Sequence, residues 1–275
     1  MRNNVFKMII LVIHATKIEN PKKLNGENPK NIRLFLNLLT LNAMTLLNYL
    51  IDLFFPPQCQ ACKSILTDNE FQICVACRHQ LPVTNYHFQQ DHPLNHLFFG
   101  RIHFVASTSL FYFQKHSRVQ TLLHNLKYNQ QKSVGTTLGL WLGTEMKISK
   151  RFDKIDIIVP VPTHKRRLKK RGYNQVLPFA MAIAKVFDIP CIDTVLIKIK
   201  HTKTQVFQTK EERWNSVGDN FQLSKKEVVF GKHILLVDDL ITTGATVEAC
   251  SKVLLDAGVK HLSLATIAIA SSMFR

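Results

Sequence analysis

Two kinds of short apolar segment alternate along residues 102–270, and this alternation limits the fold more than any other feature of the chain. Segments rich in β-branched and aromatic residues, which favour strands, are followed by segments whose apolar residues recur at helical spacing. Such alternation predicts an α/β fold in which helices connect the strands of a parallel sheet. The predicted strands are 102–113, 155–162, 194–200, 233–237 and 261–270, and the predicted helices are 116–131, 133–147, 175–188 and 247–257.

Composition excludes some classes of protein and indicates what the surface attracts. With 275 residues, 46% of them hydrophobic, the chain can form one sizeable domain with a small appendage, and it is neither disordered nor fibrous. Lys and Arg number 36 against 19 Asp and Glu, so the formal net charge is +17. Such a surface attracts polyanions, including nucleic acids, nucleotides and phosphorylated sugars, but charge alone does not distinguish among them.

Four of the six cysteines are clustered in the pattern C-x2-C-x11-C-x2-C. Two CxxC pairs can bring four thiolates around one tetrahedral Zn²⁺, so we expect a structural zinc site. Two disulfides or an iron–sulfur cluster are the alternatives, and the lack of a convincing export signal weighs against disulfides. The predicted ligands are Cys59, Cys62, Cys74 and Cys77.

Several histidines follow this cysteine cluster in a segment with little periodicity. Because four thiolates already saturate one zinc ion, we interpret these histidines as scattered surface residues rather than as further ligands. They are His79, His87, His92, His96 and His103.

The amino-terminal segment does not fit the pattern of the rest of the chain. Its apolar run, residues 5–15, is too short to span a bilayer and no A-x-A cleavage site follows it. A new amphipathic pattern begins at Met44 and leads directly into the cysteines. We therefore expect residues 1–43 to be a misassigned or disordered extension, residues 44–99 to form the zinc module and linker, and residues 100–275 to form the α/β domain, with no membrane span.

The strand 233–237 ends in two acidic residues, Asp238 and Asp239, within the sequence ILLVDDLITTGAT. In an open parallel sheet, ligands bind beyond the carboxyl ends of the strands. The next residues supply backbone amides, hydroxyl groups and a glycine that allows a tight turn, and a helix then begins. A helix amino terminus of this kind binds phosphate. The predicted phosphate loop is Thr242, Thr243, Gly244, Ala245 and Thr246.

Two carboxylates beside a phosphate loop would repel the phosphate unless they face another part of the ligand. Paired acceptors suit a ribose cis-diol, and they can also hold Mg²⁺ bound to a polyphosphate. We therefore expect a ribose 5-phosphate that carries a further anionic group. P-loop ATPases also end a strand in acids, but the motif G-x-x-x-x-G-K-[ST] does not occur in this sequence. A solvated acidic turn would not need this arrangement of threonines and glycine.

The motif VDDLITTGAT is similar to the phosphoribosyl pyrophosphate (PRPP) signature of the type I phosphoribosyltransferases. Two more segments make the family resemblance more specific than this motif alone. They are VPVPTHKRRLKKRGYNQ at 159–175 and HTKTQVFQTKEERWNSVGDNF at 201–221. Together with the cysteine module they resemble the ComF-type competence protein family, whose members are linked to DNA uptake in natural transformation. The resemblance covers about residues 44–270. It implies a type I phosphoribosyltransferase-like parallel sheet flanked by helices, with a small amino-terminal four-cysteine zinc module.

The resemblance also implies roles for individual residues. Asp238 and Asp239 would take the ribose hydroxyls, and the loop 242–246 would bind the 5-phosphate. The basic run after strand 155–162 would bind pyrophosphate, since Arg makes bidentate contacts to phosphate oxygens and Lys supplies a point charge. A solvated helix face or a nonspecific DNA patch is the alternative for this run. The pyrophosphate candidates are Lys165, Arg166 and Arg171.

Segment 201–217 corresponds to the mobile loop that closes over PRPP in this fold. Its cationic residues Lys203 and Arg213 are the catalytic candidates, and a purely solvating role is the alternative for both. A closed loop would exclude water from the reacting centre. Thr209 and Glu212 form a T-x-x-E capping box, which predicts a short helix in this loop.

Three functions follow from the resemblance, all of them cytoplasmic. The first is a phosphoribosyltransferase with structural Zn²⁺ and with Mg²⁺ bound to PRPP. The second is a single-stranded DNA-binding protein that retains the PRPP site, and the third is a scaffold whose zinc module recruits a competence helicase. Stacking on single strands requires aromatic side chains near basic ones, although the context of Trp141 favours the core. The candidates are Tyr128, Trp141, Tyr173 and Trp214.

Overall fold

Within residues 52–128, 131–199 and 221–274, which the computed structural model describes, the strands form two sheets. The main sheet has four parallel strands in the order β1-β6-β5-β2, and a second sheet pairs β3 with β4. The strands are β1 (Ser107–Phe113), β2 (Ile157–Pro160), β3 (Leu196–Lys198), β4 (Phe221–Leu223), β5 (His233–Ile241) and β6 (His261–Ala270).

Helices precede, connect and cover the strands. Two single turns of 3₁₀ helix, Tyr86–Phe88 and Ser271–Phe274, accompany them. The helices are α1 (Val75–Gln80), α2 (Pro93–Leu97), α3 (Arg118–Tyr128), α4 (Lys132–Ser149), α5 (Lys165–Arg171), α6 (Leu177–Phe187), α7 (Lys226–Val229) and α8 (Ala245–Asp256).

The central strand β5 is apolar along most of its length because both faces of the sheet are covered. Leu235 and Val237 belong to one hydrophobic core, which also contains buried residues of α3, α4 and α6. Ile234 and Leu236 point to the opposite face and belong to a second core, shared with α8. The alternating side chains of one strand therefore hold two helical layers on the sheet.

Helices α4 and α6 approach closely because glycines recur every four residues on one face of α4. Gly135, Gly139 and Gly143 all face α6. A Cβ atom on Gly139 would lie against the main-chain oxygen of Phe179 and 2.7 Å from the Cβ of Ala182. The backbone of α6 thus occupies the space that a side chain at position 139 would need.

Two sequence predictions about strands need correction. The segment 194–200 does not join the parallel sheet, because its strand β3 pairs antiparallel with β4. The strand predicted at 233–237 continues through both aspartates to Ile241, because β6 remains hydrogen-bonded beside it as far as Ile269. Neighbouring β2 ends earlier, at Pro160 opposite Val237.

Residues from Pro57 onward form one compact unit. The cysteine segment is part of it, since Cys59, Cys74 and Cys77 belong to the same hydrophobic core as Leu122 and Leu126 of α3. In the described part of the chain, no helix has the length and apolarity required to cross a bilayer.

The interpretation of the histidines as surface residues is wrong for His87 and His92, which are both buried. Nδ1 of His87 lies 3.3 Å from Oγ1 of Thr108, and its Nε2 lies 3.2 Å from a carboxylate oxygen of Glu145. The His92 ring stacks on Tyr86 with 4.4 Å between centroids, and burial lowers the pKa of His92 to about 4. Both histidines therefore pack the segment after the cysteines onto the sheet. His79, His96 and His103 are exposed, as expected.

Candidate functional site

A cleft of about 260 Å³ opens at the carboxyl edge of the sheet, where β2 ends and β5 continues. The chain leaves the sheet after Pro160 and forms one wall, while the end of β5 and the start of α8 form another. Its lining residues are Lys127, Val161, Pro162, Thr163, His164, Arg167, Arg171, Gln175, Val176, Lys198, Asp238, Asp239, Leu240, Thr242 and Thr246.

Asp239 is held in the cleft by groups from two other elements. Nζ of Lys127, at the end of α3, lies 2.9 Å from Oδ2 of Asp239. Nε2 of Gln175 donates a hydrogen bond to the same oxygen at 3.3 Å. The contacts to Oδ2 hold the carboxylate in one orientation and leave Oδ1 for a ligand.

Asp238 lies beside Asp239 in a different environment. Its Oδ1 accepts a hydrogen bond from the amide of Asp239 at 2.8 Å. Burial, followed by the charge of Asp239, raises the pKa of Asp238 to about 7. Burial also lowers the pKa of nearby Lys198, whose positive charge acts on Asp238. The pair is thus poised to accept hydrogen bonds or to hold a cation, because Asp238 lacks the solvation that normally stabilises its charge.

The loop after β5 is shorter than the sequence predicts. It comprises Thr242, Thr243 and Gly244, because α8 already begins at Ala245 and includes Thr246 in its first turn. Gly244 has φ +81°, and a Cβ atom there would lie 2.9 Å from the ring of Phe98, so glycine is required for both conformation and space.

The side chains of this loop divide between the cleft and local structure. Thr242 and Thr246 line the cleft. Oγ1 of Thr243 instead accepts a hydrogen bond from the amide of Ala245 at 3.4 Å, at the start of the helix. The amino terminus of α8 therefore lies next to the acid pair, with hydroxyl groups on both sides of the turn.

The basic run forms helix α5, and its helical spacing selects which cations reach the cleft. Arg167 and Arg171 are one turn apart on the same face and both line the cleft. Arg166 points elsewhere and is exposed, while the side chain of Lys165 lies outside the described part of the chain. The predicted pyrophosphate-binding role of these residues stays a prediction.

Arg171 carries a nitrogen suited to an anionic ligand. Its Nη1 is buried and has no hydrogen-bond partner among the residues that the structure describes. Its guanidinium lies over the ring of Tyr128, 5.2 Å from the centroid. A buried guanidinium nitrogen without an acceptor is costly, and an anion in the cleft would satisfy it.

Sequence reasoning gave no role to several residues that line the cleft, among them Lys127, Thr163 and Gln175. Gln175 and Asn174 were recognisable in the segment RGYNQ, where Asn174 turns out to hold the backbone: its Nδ2 donates to the carbonyl of Val161 at 3.1 Å. Lys127 carried no signal, because a lysine near the end of an amphipathic helix is ordinarily solvated.

The two catalytic candidates, Lys203 and Arg213, lie outside the described residues, as does the predicted lid around them. Five of the other predicted ligand-binding residues line one cleft at the edge of the sheet, namely Asp238, Asp239, Thr242, Thr246 and Arg171.

The four cysteines form a second candidate site, with all Sγ atoms within 4.8 Å of one another. Sγ of Cys62 lies 3.7 Å from Sγ of Cys74. Four sulfurs at about 2.3 Å from a tetrahedral zinc are about 3.8 Å apart, so the Cys62–Cys74 distance matches a zinc site and the whole cluster is within about 1 Å of that spacing. Backbone amides of Cys74 and Cys77 donate to the sulfurs of Cys59 and Cys74 at 3.3 and 3.4 Å. These residues fit a structural zinc ion, and no other group of three or more ligands is present among the described residues.

Comparisons with known proteins match both parts of the chain. The phosphoribosyl transferase domain family matches residues 174–273, and the double zinc ribbon domain family matches residues 50–88. Competence protein F of Haemophilus influenzae is 31% identical over 148 residues, which are 52% of this chain and 64% of that protein. Competence protein ComFC of Bacillus subtilis is 36% identical over 106 residues, 38% of this chain and 41% of that protein. The two domain families and these relatives match those of a ComF-family protein.

The fold class predicted from the sequence is confirmed by the parallel sheet, the flanking helices, the four-cysteine module and the two domain families. The match spans less than two thirds of the length of these curated relatives. Among solved structures, the glutamine PRPP amidotransferase from B. subtilis in complex with ADP and GMP is 21% identical, with a TM-score of 0.37 over 52% of this chain and 30% of that chain.

Proposed function

We propose that this chain is a ComF-type protein that binds PRPP, or a related ribose 5-phosphate, together with Mg²⁺, and that it acts in the cytoplasm in DNA uptake during natural transformation. One observation carries the ligand proposal. The acid pair Asp238 and Asp239 shares a single cleft with Arg171, whose buried nitrogen has no acceptor among the described residues. A ligand that offers both hydroxyl donors and phosphate oxygens satisfies both groups.

Each wall of the cleft would then take one part of the ligand. Asp238 and Asp239 accept hydrogen bonds from the ribose hydroxyls, and their carboxylates would help to hold Mg²⁺, which would neutralise negative charge on the ligand. The amino terminus of α8, with Thr242 and Thr246, takes the 5-phosphate. Arg171 and Arg167, which line the same cleft, face the pyrophosphate.

A transferase reaction at this site would displace pyrophosphate from C1 of PRPP by a nitrogen nucleophile. The described residues would contribute by binding and orienting the two ends of the ligand. Lys203 and Arg213 are proposed to close over the pyrophosphate and exclude water. The names of the competence-protein relatives support the role in DNA uptake.

Calorimetric titration of the full chain with PRPP and Mg²⁺ tests the ligand proposal. We expect saturable binding that a double variant, Asp238→Asn with Asp239→Asn, reduces at least about tenfold, since each removed carboxylate was a charge-assisted acceptor. The matched control is Asp153→Asn with Asp256→Asn, which changes the net charge equally at exposed positions outside the cleft. Absence of binding to the folded wild type would refute the proposal.

A second candidate function, binding of single-stranded DNA, is favoured by the surface beside the cleft. Residues 166–170 of α5 are exposed, and so is Tyr128, which stacks with Arg171. Trp141 packs on Phe111 at 5.5 Å and Tyr173 is buried, so neither is a free stacking surface. Trp214 lies outside the described residues. Recruitment of a helicase by the zinc module stays a prediction from the family resemblance.

Affinity for an oligonucleotide, measured over a range of salt concentrations, tests this second function. Binding should fall steeply as salt rises, because neutralised phosphates release counterions. We expect Tyr128→Ala to weaken binding by about 1 kcal/mol or more through lost stacking, and Lys170→Ala with Arg171→Ala to reduce the salt dependence. Unchanged affinity in both variants would argue against DNA binding at this surface.

A further inference from the structure

Helix α3 contacts the cysteine cluster and the cleft through side chains only two residues apart. Nδ2 of Asn125 donates to the main-chain carbonyl of Gln60 at 2.9 Å and lies 3.1 Å from Oε1 of the same residue. Nζ of Lys127 lies 2.9 Å from Oδ2 of Asp239. Gln60 stands between Cys59 and Cys62, so one helix connects a metal-binding loop to a ligand-binding carboxylate.

The connection at the cysteine loop is buried and specific. Asn125 is 3% exposed, and its amide fits the Gln60 carbonyl in a position that only a fixed loop can maintain. The amide of Gln60 in turn donates to the carbonyl of Gln72 at 2.8 Å, which ties the first cysteine pair to the segment before the second. A metal ion held by all four cysteines would lock these two segments together.

The carboxyl-terminal end of α3, which contacts the cleft, is also held in place by neighbouring residues. The hydroxyl group of Tyr173 donates to the main-chain carbonyl of Leu126, which fixes the last turn of α3 beside the segment that carries Gln175. Leu122 and Leu126 are buried in the same core as Cys59 and Cys77. A shift of the cysteine loop would therefore displace α3, and with it the ammonium group that orients Asp239.

We propose that helix α3 couples the metal centre to the cleft: zinc fixes the Gln60 loop, Asn125 transmits that position to α3, and Lys127 holds Asp239 in the orientation that a ribose hydroxyl requires. Asn125 and Lys127 are positioning residues in this scheme. This inference rests on the proposed function, because the expected effect is a change in the affinity for PRPP. Coupling between two sites is reciprocal, so a ligand in the cleft also stabilises the cysteine loop.

The first test uses zinc-loaded full-length protein and PRPP with Mg²⁺ as the probe in calorimetry. We expect Asn125→Ala to weaken PRPP binding about fivefold or more, because coupling of this kind usually changes affinity by about 5- to 150-fold. Gln60→Ala keeps the main-chain acceptor at 2.9 Å and should have a smaller effect. Thr121→Ala, which removes only a local contact to the carbonyl of Ser117, the residue before α3, should have none.

The second test measures amide hydrogen exchange with and without PRPP, in the folded wild type and in one variant. Exchange at residues 59–62 should slow about fivefold or more when PRPP binds, while residues 226–232, outside both sites, serve as the reference. In Lys127→Met the cleft should still respond at saturating PRPP, but residues 59–62 should not.

The outcomes separate the two proposals. If PRPP neither binds in calorimetry nor slows exchange around the cleft, the proposed ligand is wrong. If PRPP binds and protects the cleft, but residues 59–62 exchange as before and Asn125→Ala binds PRPP like the wild type, then the coupling through α3 is refuted while the ligand stands.

Discussion

At the scale of single residues, two neighbouring aspartates differ because of what surrounds them. Asp239 has a lysine partner at 2.9 Å, whereas Asp238 is buried beside the charge of Asp239 and has its pKa raised to about 7. The uncompensated burial of Asp238 costs stability, and a site that binds a ligand commonly carries such a cost. The proposed binding role of the acid pair would therefore come at a cost to the stability of the fold.

Replacing Asp238 with Asn should therefore stabilise the protein at alkaline pH. An aspartate in the unfolded chain titrates near 3.9, so between about pH 4 and 7 the native state binds more protons and the free energy of unfolding falls as pH rises. Asp238→Asn removes this fall and keeps the oxygen that accepts from the Asp239 amide. Denaturant unfolding at pH 8 should show a gain of about 1–3 kcal/mol that disappears near pH 4.

Asp239→Asn is the matched comparison for this prediction. It loses the ion pair with Lys127 but also removes the charge that helps to raise the pKa of Asp238, and because these effects oppose each other its gain at pH 8 should be smaller than that of Asp238→Asn. Equal stability of the wild type and Asp238→Asn at both pH values would mean that Asp238 is not desolvated.

Sequence reasoning found the acid pair, the glycine and the threonines because their meaning depends on neighbours in the chain. It missed Lys127 because that residue acquires its role only when α3 packs beside the end of β5. Arg166 and Arg167 are adjacent in a basic run, and the sequence alone does not show which of them lines the cleft. Only Arg167 does so, because it lies on the side of α5 that meets the cleft.

At the scale of elements, the closest packing is the contact of α4 with α6. Gly139→Ala should lower the free energy of unfolding by about 1–3 kcal/mol, measured by chemical denaturation, because its Cβ would meet backbone atoms that cannot move aside. The loss outweighs the gain of about 1 kcal/mol in helix propensity that alanine brings.

Gly143→Ala on the same face is the control for this helix contact. Its Cβ would lie 3.3 Å from the Cα of Ile183 and from the side chain of Val186, so these neighbours would have to move by only a few tenths of an ångström. We expect a change within about 1 kcal/mol, since strain and helix propensity oppose each other there. If both variants were equally stable, the spacing of the two helices would not depend on Gly139.

Helices were easier to predict than strand partners. The periodic apolar residues of α3, α4, α6 and α8 place each helix within a few residues of its observed bounds, because the buried stripe is a local pattern. The same reasoning could not tell that β3 pairs with β4, since short apolar runs contain no information about which sheet they join.

At the scale of the whole molecule, the cysteine module shares its core with the α/β layers. Removing zinc with a chelator should therefore destabilise the entire unit by about 3 kcal/mol or more, or lower Tm by about 10 °C in scanning calorimetry. Cys59→Ser should act in the same way, whereas Cys191→Ser, outside the cysteine cluster, should change Tm little.

The form of the calorimetric transition also matters for this prediction. We expect one transition that moves as a whole, because the cysteines and α3 unfold together. A separate early transition of the module, with the main transition unmoved, would show that the module folds independently.

The strand order determines which truncated fragments of this chain keep a complete sheet. Residues 174–273, which the phosphoribosyl transferase domain family matches, include β5 and β6 but neither β1 nor β2. In the order β1-β6-β5-β2 these two missing strands flank the central pair on both sides. A fragment with those boundaries would expose two bare strand edges, whose unpaired amides and carbonyls favour association with other chains. Truncations intended to isolate the cleft should therefore begin ahead of β1, or the product will aggregate.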